Sequence, residues 1–274
     1  MHLEIDETAV TFRSNDRIAG RYVFTDDYKP YLHPLNTPAG HTVSLASPHD
    51  HKHHKGLMYA LTVPNVNFWE ERPTQEGEVV GRQRHEAFTS LLKAGDEIGF
   101  EEELTWLPAE GGEPIFRETR SVACQLDPAQ NGFAWTWKSE LSALADTDLT
   151  MSVYSARQSD GRLVNYHGLG IRFRREFGCT GGNLLLIDGR ETPITEGSGS
   201  VPRSAEFQGS IDGIWPVVRA AVRISQEMPN ALFVMDKPFA FMGCGPSNLG
   251  PVPLQGGETL SERYTIQVFD VEPV

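Results

Sequence analysis

Long apolar runs are missing from this 274-residue sequence. None approaches the ~20 residues that a membrane-spanning helix requires, so no membrane partner is expected. Cysteine is scarce as well. Cys124, Cys179 and Cys244 are three in number, lie far apart and form no C-x-x-C pair, which argues against a disulfide framework or a cysteine zinc site and fits a reducing compartment. Positive charge is in deficit, with 24 Lys and Arg against 37 Asp and Glu and a formal net charge of −13. Such a field repels a phosphate backbone, so no nucleic-acid partner is expected. The Met-His-Leu-Glu-Ile-Asp start has neither a basic segment nor an apolar one, so no secretory signal is expected and the expected location is cytoplasmic. Nothing matches G-x-G-x-x-G, the P-loop or G-x-S-x-G, and a nucleotide cofactor is not expected.

Strand signals dominate what is present. In Phe133-Ala-Trp-Thr-Trp137 a period of two sends Phe133, Trp135 and Trp137 to one face, and Tyr264, Ile266 and Val268 repeat the pattern near the C-terminus. Further strands are expected at 21–24, 57–63, 98–107, 115–126, 149–154, 171–177, 184–187 and 217–224. Gly- and Pro-containing loops separate them, for example 108–114 and 245–257. Residues 85–94 fit a strand or a short helix with Phe88, Leu91 and Leu92 on one face, and both readings stay open. Many short strands and few helices predict an all-β fold, a large antiparallel β-sandwich, in one domain over residues 1–274.

The densest chemistry lies in Ser47-Pro48-His49-Asp50-His51-Lys52-His53-His54-Lys55-Gly56, where four of the nine histidines fall within six residues. Histidine changes charge near neutrality and is the commonest metal ligand. On an extended backbone His49, His51 and His53 share one face and could hold a divalent metal, with Asp50 orienting a ring. If the segment is a loop, as Ser-Pro-His-Asp suggests, only the local concentration of imidazole survives. The cupin spacing, H-x-H followed closely by Glu, is not met, because Lys55 and Gly56 follow and the next glutamates are Glu70 and Glu71. The zincin H-E-x-x-H is absent.

Two other groupings stand out. Asn165-Tyr166-His167-Gly-Leu-Gly-Ile-Arg172 combines donors, acceptors and an aromatic face suited to a polyol, and reads equally as a hairpin corner with a satisfied core histidine. In Asn67-Phe68-Trp69 the indole and amide suit a sugar, whereas Phe68 reads as core. Glu101, Glu102 and Glu103, and the pair Glu118 and Arg120, lie in strand-like runs and read as acid–base candidates or as a charged outer face.

The run from His33-Pro34-Leu35 through Thr37-Pro38-Ala39-Gly40 to Asp50-His51-x-His53-His54-x-Gly56-Leu57, then Asn67-Phe68-Trp69, resembles the bacterial PmoA-type domain family, labelled methane oxygenase. Gly168-Leu-Gly-x-Arg172 and Gly257-Glu-Thr-Leu260 with Arg263-Tyr264 look like it too. The label implies a metal-dependent oxygenase, but the membrane subunit of that name spans a bilayer and this sequence has no segment that does. Members of the family accompany sugar oxidoreductases, which implies carbohydrate metabolism. The layout of Met228-Pro-Asn-Ala-Leu-Phe-Val234 and Gly257-Glu-Thr259 is similar to the galactose-mutarotase-like supersandwich, whose enzymes use a histidine acid and a glutamate base. No carboxylate lies in 241–247, where that base would fall.

Together these readings predict a carbohydrate-active enzyme working by hydrolysis or elimination at a glycosidic carbon, or else by epimerisation, with a small-molecule carbohydrate as partner. His51, His53, His54 and His167 would meet in one polar cleft as acid–base or hydroxyl-positioning groups. Asp50, His41, Asn67, Trp69, Tyr166 and Arg172 would contact the substrate. The alternatives are a carbohydrate-binding module without turnover and the metal-dependent oxygenase.

Overall fold

The computed structural model describes residues 1–158, 160–179, 182–214 and 217–271. Two large sheets face each other. The first has eight strands in the order His2–Ile5, Ala9–Ser14, Arg17–Val23, Tyr31–Leu35, Leu57–Ala60, Gly168–Arg172, Phe241–Gly245 and Ala231–Met235. The second has eleven, and its centre is built from Val218–Gln226, Thr259–Val271, Gly132–Ala143, Phe116–Asp127, Glu97–Pro108 and Val79–Ala94. Neighbours run antiparallel throughout, apart from a short parallel pairing of Val66–Asn67 with Val79–Val80. Helix is confined, among the described residues, to Glu176–Cys179 and Ile194–Gly197. None of these is long and apolar enough to cross a membrane.

The aromatic alternation does what a period of two requires. Phe133, Trp135 and Trp137 point inward from Gly132–Ala143, and Tyr264, Ile266 and Val268 join them from the neighbouring strand. Phe12 of the opposite sheet closes on Trp135 edge-to-face at 4.8 Å. The ambiguous 85–94 stretch is strand, part of the sixteen-residue Val79–Ala94. Two register shifts, at His85/Ala87 and Phe88/Ser90, break its alternation, and this imitates a helical spacing. Phe88 packs inward on Phe24 and Phe100, while Leu91 is exposed. Two expected strands are not formed as read: of 149–154 only Leu149 is strand, at the end of Thr147–Leu149, before a loop that carries Tyr154, and of 171–177 only the first two residues are, at the end of Gly168–Arg172, before the first short helix.

A charged group is also sealed between the sheets. Glu102 faces inward between Glu101 and Glu103, so alternation holds, but no solvent reaches it. Arg120 is fully buried, bound through Nε and Nη2 to Glu118 at 2.9 and 2.7 Å, and donates to Tyr22 and Gln83. Tyr22 bonds Glu102, whose other oxygen meets His85 Nδ1 at 2.7 Å. Both sequence candidates for acid–base groups are thus interior ties between strands.

The middle of the eight-stranded sheet is buried on both faces. Leu57, Tyr59, Leu169, Ile171, Met242, Cys244, Leu232 and Val234 face the inter-sheet core. The alternate residues Met58, Ala60, Phe241 and Phe233 belong to a second apolar cluster on the outer face. Gly170 makes room there, since a Cβ would lie 2.5 Å from the Phe241 ring. Arg172 follows in the same alternation. This outer face, roofed by the loops around 49–54, 70–72 and 154–156, carries the cleft.

Candidate functional site

The first roofing loop holds the histidines. It leaves the sheet at an Ala46–Lys55 bridge and folds through two consecutive turns, His51 N–H to Pro48 O and His54 N–H to His51 O, both at 3.0 Å. It is a loop, so the alternating-face argument for His49, His51 and His53 fails. His49 Nδ1 lies against Arg175 at 3.3 Å and His53 against Glu70. Among the described residues no three His, Cys, Asp or Glu side chains are placed to hold a metal ion, so the donor set does not fit the divalent metal.

The second loop supplies the residue that the sequence left out of the site. The Asn67 side-chain oxygen accepts the backbone N–H groups of Trp69 and Glu70, each at 2.9 Å. This turn aims Glu70 into the cleft. Asn67 is itself buried and acts through that turn. Lys29 ties the two loops together. Fully buried, it donates Nζ to the carbonyls of Trp69 at 2.5 Å and His53 at 3.3 Å. Burial draws its pKa down to about 8 against the pull of Glu71.

So placed, His53 Nδ1 and Glu70 Oε2 are 3.1 Å apart. Burial pushes the Glu70 carboxyl up to about 6, outweighing the nearby Lys29 and Arg72. Burial also depresses His53, helped by the positive charges of Lys29, His51, Arg72 and Arg172. One shift favours a protonated carboxyl and the other a neutral imidazole, so the pair is suited to holding a single proton.

The other imidazoles have distinct surroundings. His54 Nδ1 meets Arg172 Nη1 at 3.1 Å. A guanidinium can only donate, so Nδ1 accepts and the ring proton sits on Nε2. Burial holds His54 well below the usual range, in agreement with that neutral tautomer. The Arg172 guanidinium carbon sits over Phe239, 3.8 Å from the ring centre, and its Nη2 is 3.6 Å from Asp50. Asp50 also meets Arg175 at 2.9 Å and His51 Nδ1 at 3.3 Å. Burial works against its charge, yet these partners hold its carboxyl well below the carboxylate range. His51 stacks on His54 at 4.9 Å.

The loop histidines, Asp50 and Glu70 border a cleft of about 760 Å³, with Arg172 buried behind His54 and off the cleft wall, a volume within the range of about 300–1,000 Å³ usual for small-molecule sites. Its wall includes His49, Asp50, His51, His53, His54 and Glu70 on one side and Tyr154, Tyr166, Phe233, Met235 and Phe241 on the other. His167 does not join them. It is buried behind Trp69, rings 5.4 Å apart, with Nδ1 3.2 Å from Thr62 Oγ1. Trp69 is itself fully buried and supports Tyr166 from behind at 5.2 Å. His41 lies in a separate turn, bonded through its backbone to Thr37, and is not on the cleft wall. Glu70 was detectable only as a glutamate following Asn67 by three residues, the spacing of a side-chain-capped turn.

Three imidazoles kept neutral by burial have a cost in acid. His53, His54 and His167 all have depressed pKa values, His167 down to about 3. The unfolded chain protonates them below about pH 6.5 and the native state does not, so their stability is complete above that pH and is lost as pH falls. Each contributes up to about 1.4 kcal/mol per pH unit. Glu70 acts oppositely, but only between its ordinary value of 4.5 and about 6. The thermal midpoint is expected to fall steeply below pH 6 in a pH series of melts. A flat profile down to pH 5 would show that these rings are protonated in place.

No curated protein matches the chain. Among solved structures, a galactose mutarotase-like protein from Clostridium acetobutylicum is similar at 9% identity and a TM-score of 0.46, covering 98% of each chain. A putative kojibiose phosphorylase from the human microbiome is similar at 9% identity and a TM-score of 0.38, over 98% of this chain and 33% of its own. Residues 9–273, which include every group in the cleft, match the model of a family of unknown function, DUF6807, and the chain belongs to that family.

Proposed function

We propose that the protein is an enzyme that acts on a sugar or sugar derivative by proton transfer at a glycosidic carbon, with His53 and Glu70 as the acid–base pair. The observation that carries this reading is their 3.1 Å contact on the wall of an open cleft. A carboxyl lifted to about 6 and poised beside a neutral imidazole suits a general acid working near neutrality. The mixed wall of ionisable and aromatic groups suits a small polar molecule with C–H faces. The likeness of the 33–69 motif to the PmoA-type family, which accompanies carbohydrate genes, points the same way.

In this reading the pair donates its proton to the departing glycosidic oxygen as the C–O bond breaks, in hydrolysis or elimination. His54, with Nε2–H, and His51 position hydroxyls. Asp50 is held by Arg172, Arg175 and His51, so it orients groups and does not serve as a second acid.

The test is a panel of keto-sugars, glycosides and uronates followed by NMR, which reports cleavage and anomer exchange together. For a substrate so found, kcat/KM is expected to fall as pH rises through about 6, and Glu70→Gln is expected to remove that limb. Binding with no turnover across the panel would leave a carbohydrate-binding module instead.

A further inference from the structure

The cleft is divided by chemistry. Its ionisable groups come from the loops at 49–54 and 70–72, while the facing wall is built on the outer face of the eight-stranded sheet. Met235 pairs with Phe241 and Phe233 with Gly243 across adjacent antiparallel strands, so Phe233, Met235 and Phe241 share that face. Phe233 meets Tyr166 at 5.6 Å and Phe241 at 6.1 Å, both edge-to-face. Such a group of rings, with a thioether beside it, accepts one more ring by the same geometry.

From this wall we infer that the substrate class is an aryl glycoside: a sugar held by the ionisable wall and joined to a planar apolar leaving group that packs on Tyr166, Phe233 and Met235. The inference rests on the proposed glycosidic chemistry. A second sugar would find few polar partners at the base of this wall, since Phe233, Met235 and Phe241 offer none and the Tyr166 phenol is already bonded to Ser152 Oγ at 2.7 Å, leaving Tyr154 at the exposed rim. An aryl leaving group also suits the single-proton pair. A phenol has a pKa of about 10, so its oxygen departs with less assistance than an alkoxide. In hydrolysis the anomeric C–O bond breaks, its electron pair stays on the aryl oxygen, and that oxygen takes the proton of His53–Glu70. Water gives its hydroxyl to the anomeric carbon and its remaining proton to the pair, which closes the cycle.

The experiment compares matched phenyl and methyl glycosides of the same set of sugars, for binding by ligand-observed NMR and for turnover. Phenyl members are expected to bind at least tenfold more tightly than their methyl counterparts. Met235→Gln and Ala156→Phe, both at half-buried wall positions, are expected to reduce that ratio at least threefold. Equal phenyl and methyl affinity, no binding of either, or a ratio that survives both variants would overturn the inference. Turnover of methyl and phenyl glycosides at equal rates would overturn it while leaving the acid–base proposal intact. Phenyl-selective binding without turnover would sustain the aryl site and remove the catalytic reading.

Discussion

His53→Ala is expected to lower kcat by about two to four orders of magnitude, the range for removing a positioned general acid–base group. Glu70→Gln is expected to do the same, and the double variant little more than either alone. Groups that pass one proton act as a unit, so their losses do not add. The fold should tolerate the change. His53 sits on a surface loop, and the Glu70 oxygen that loses its partner can hold a proton, since burial has already lifted its pKa to about 6. A thermal midpoint within a few degrees of wild type is expected at pH 6. Full activity in both single variants would end the acid–base assignment, and a collapse of stability would make the pair a structural tie.

Glu118→Ala is expected to have the opposite profile, with severe instability and no direct contact with the cleft. Arg120 is fully buried and donates the two bonds of a bidentate pair to Glu118. Truncating Glu118 leaves that guanidinium without its directly bonded counter-charge, with Glu102 reached only through Tyr22, and also removes the partners of Ser139 Oγ and Trp106 Nε1, each at 2.7 Å. Breaking a buried ion pair in this way costs about 3–5 kcal/mol, a large share of the about 5–15 kcal/mol that a domain possesses. Glu118→Leu with Arg120→Met should recover much of the loss, because neither charge then remains. Denaturant unfolding of the three proteins checks this. A single variant as stable as wild type would mean that water reaches the site.

The two predictions separate what could be read in the letters from what could not. Alternation at 133–137 and 260–268 reports burial directly, so the strands and the all-β fold were legible. Residues 85–94 were not, because two register shifts scramble the pattern. Glu118 and Arg120 share a strand face in either reading, and only the opposing sheet decides that the face is interior. The histidine run was conspicuous for composition, but its turns, not an extended backbone, decide where each ring points. Glu70 lies seventeen positions from His53, and their meeting depends on Lys29, a residue with no distinguishing neighbours in the sequence. His167 belongs to a suggestive polar segment, yet strand packing sends it behind Trp69 while its neighbour Tyr166 reaches the wall.

Lys29 also provides an intrinsic reporter. An amine with a pKa near 8 carries much free base in mildly alkaline buffer, so it would be among the most nucleophilic lysines of the chain if reagents could touch it. Its Nζ is enclosed by the carbonyls it bridges. Acylating reagents should therefore label it only during excursions that part the two segments it joins. The rate of its modification, followed by mass spectrometry, would time those openings, and an occupant of the cleft should slow it.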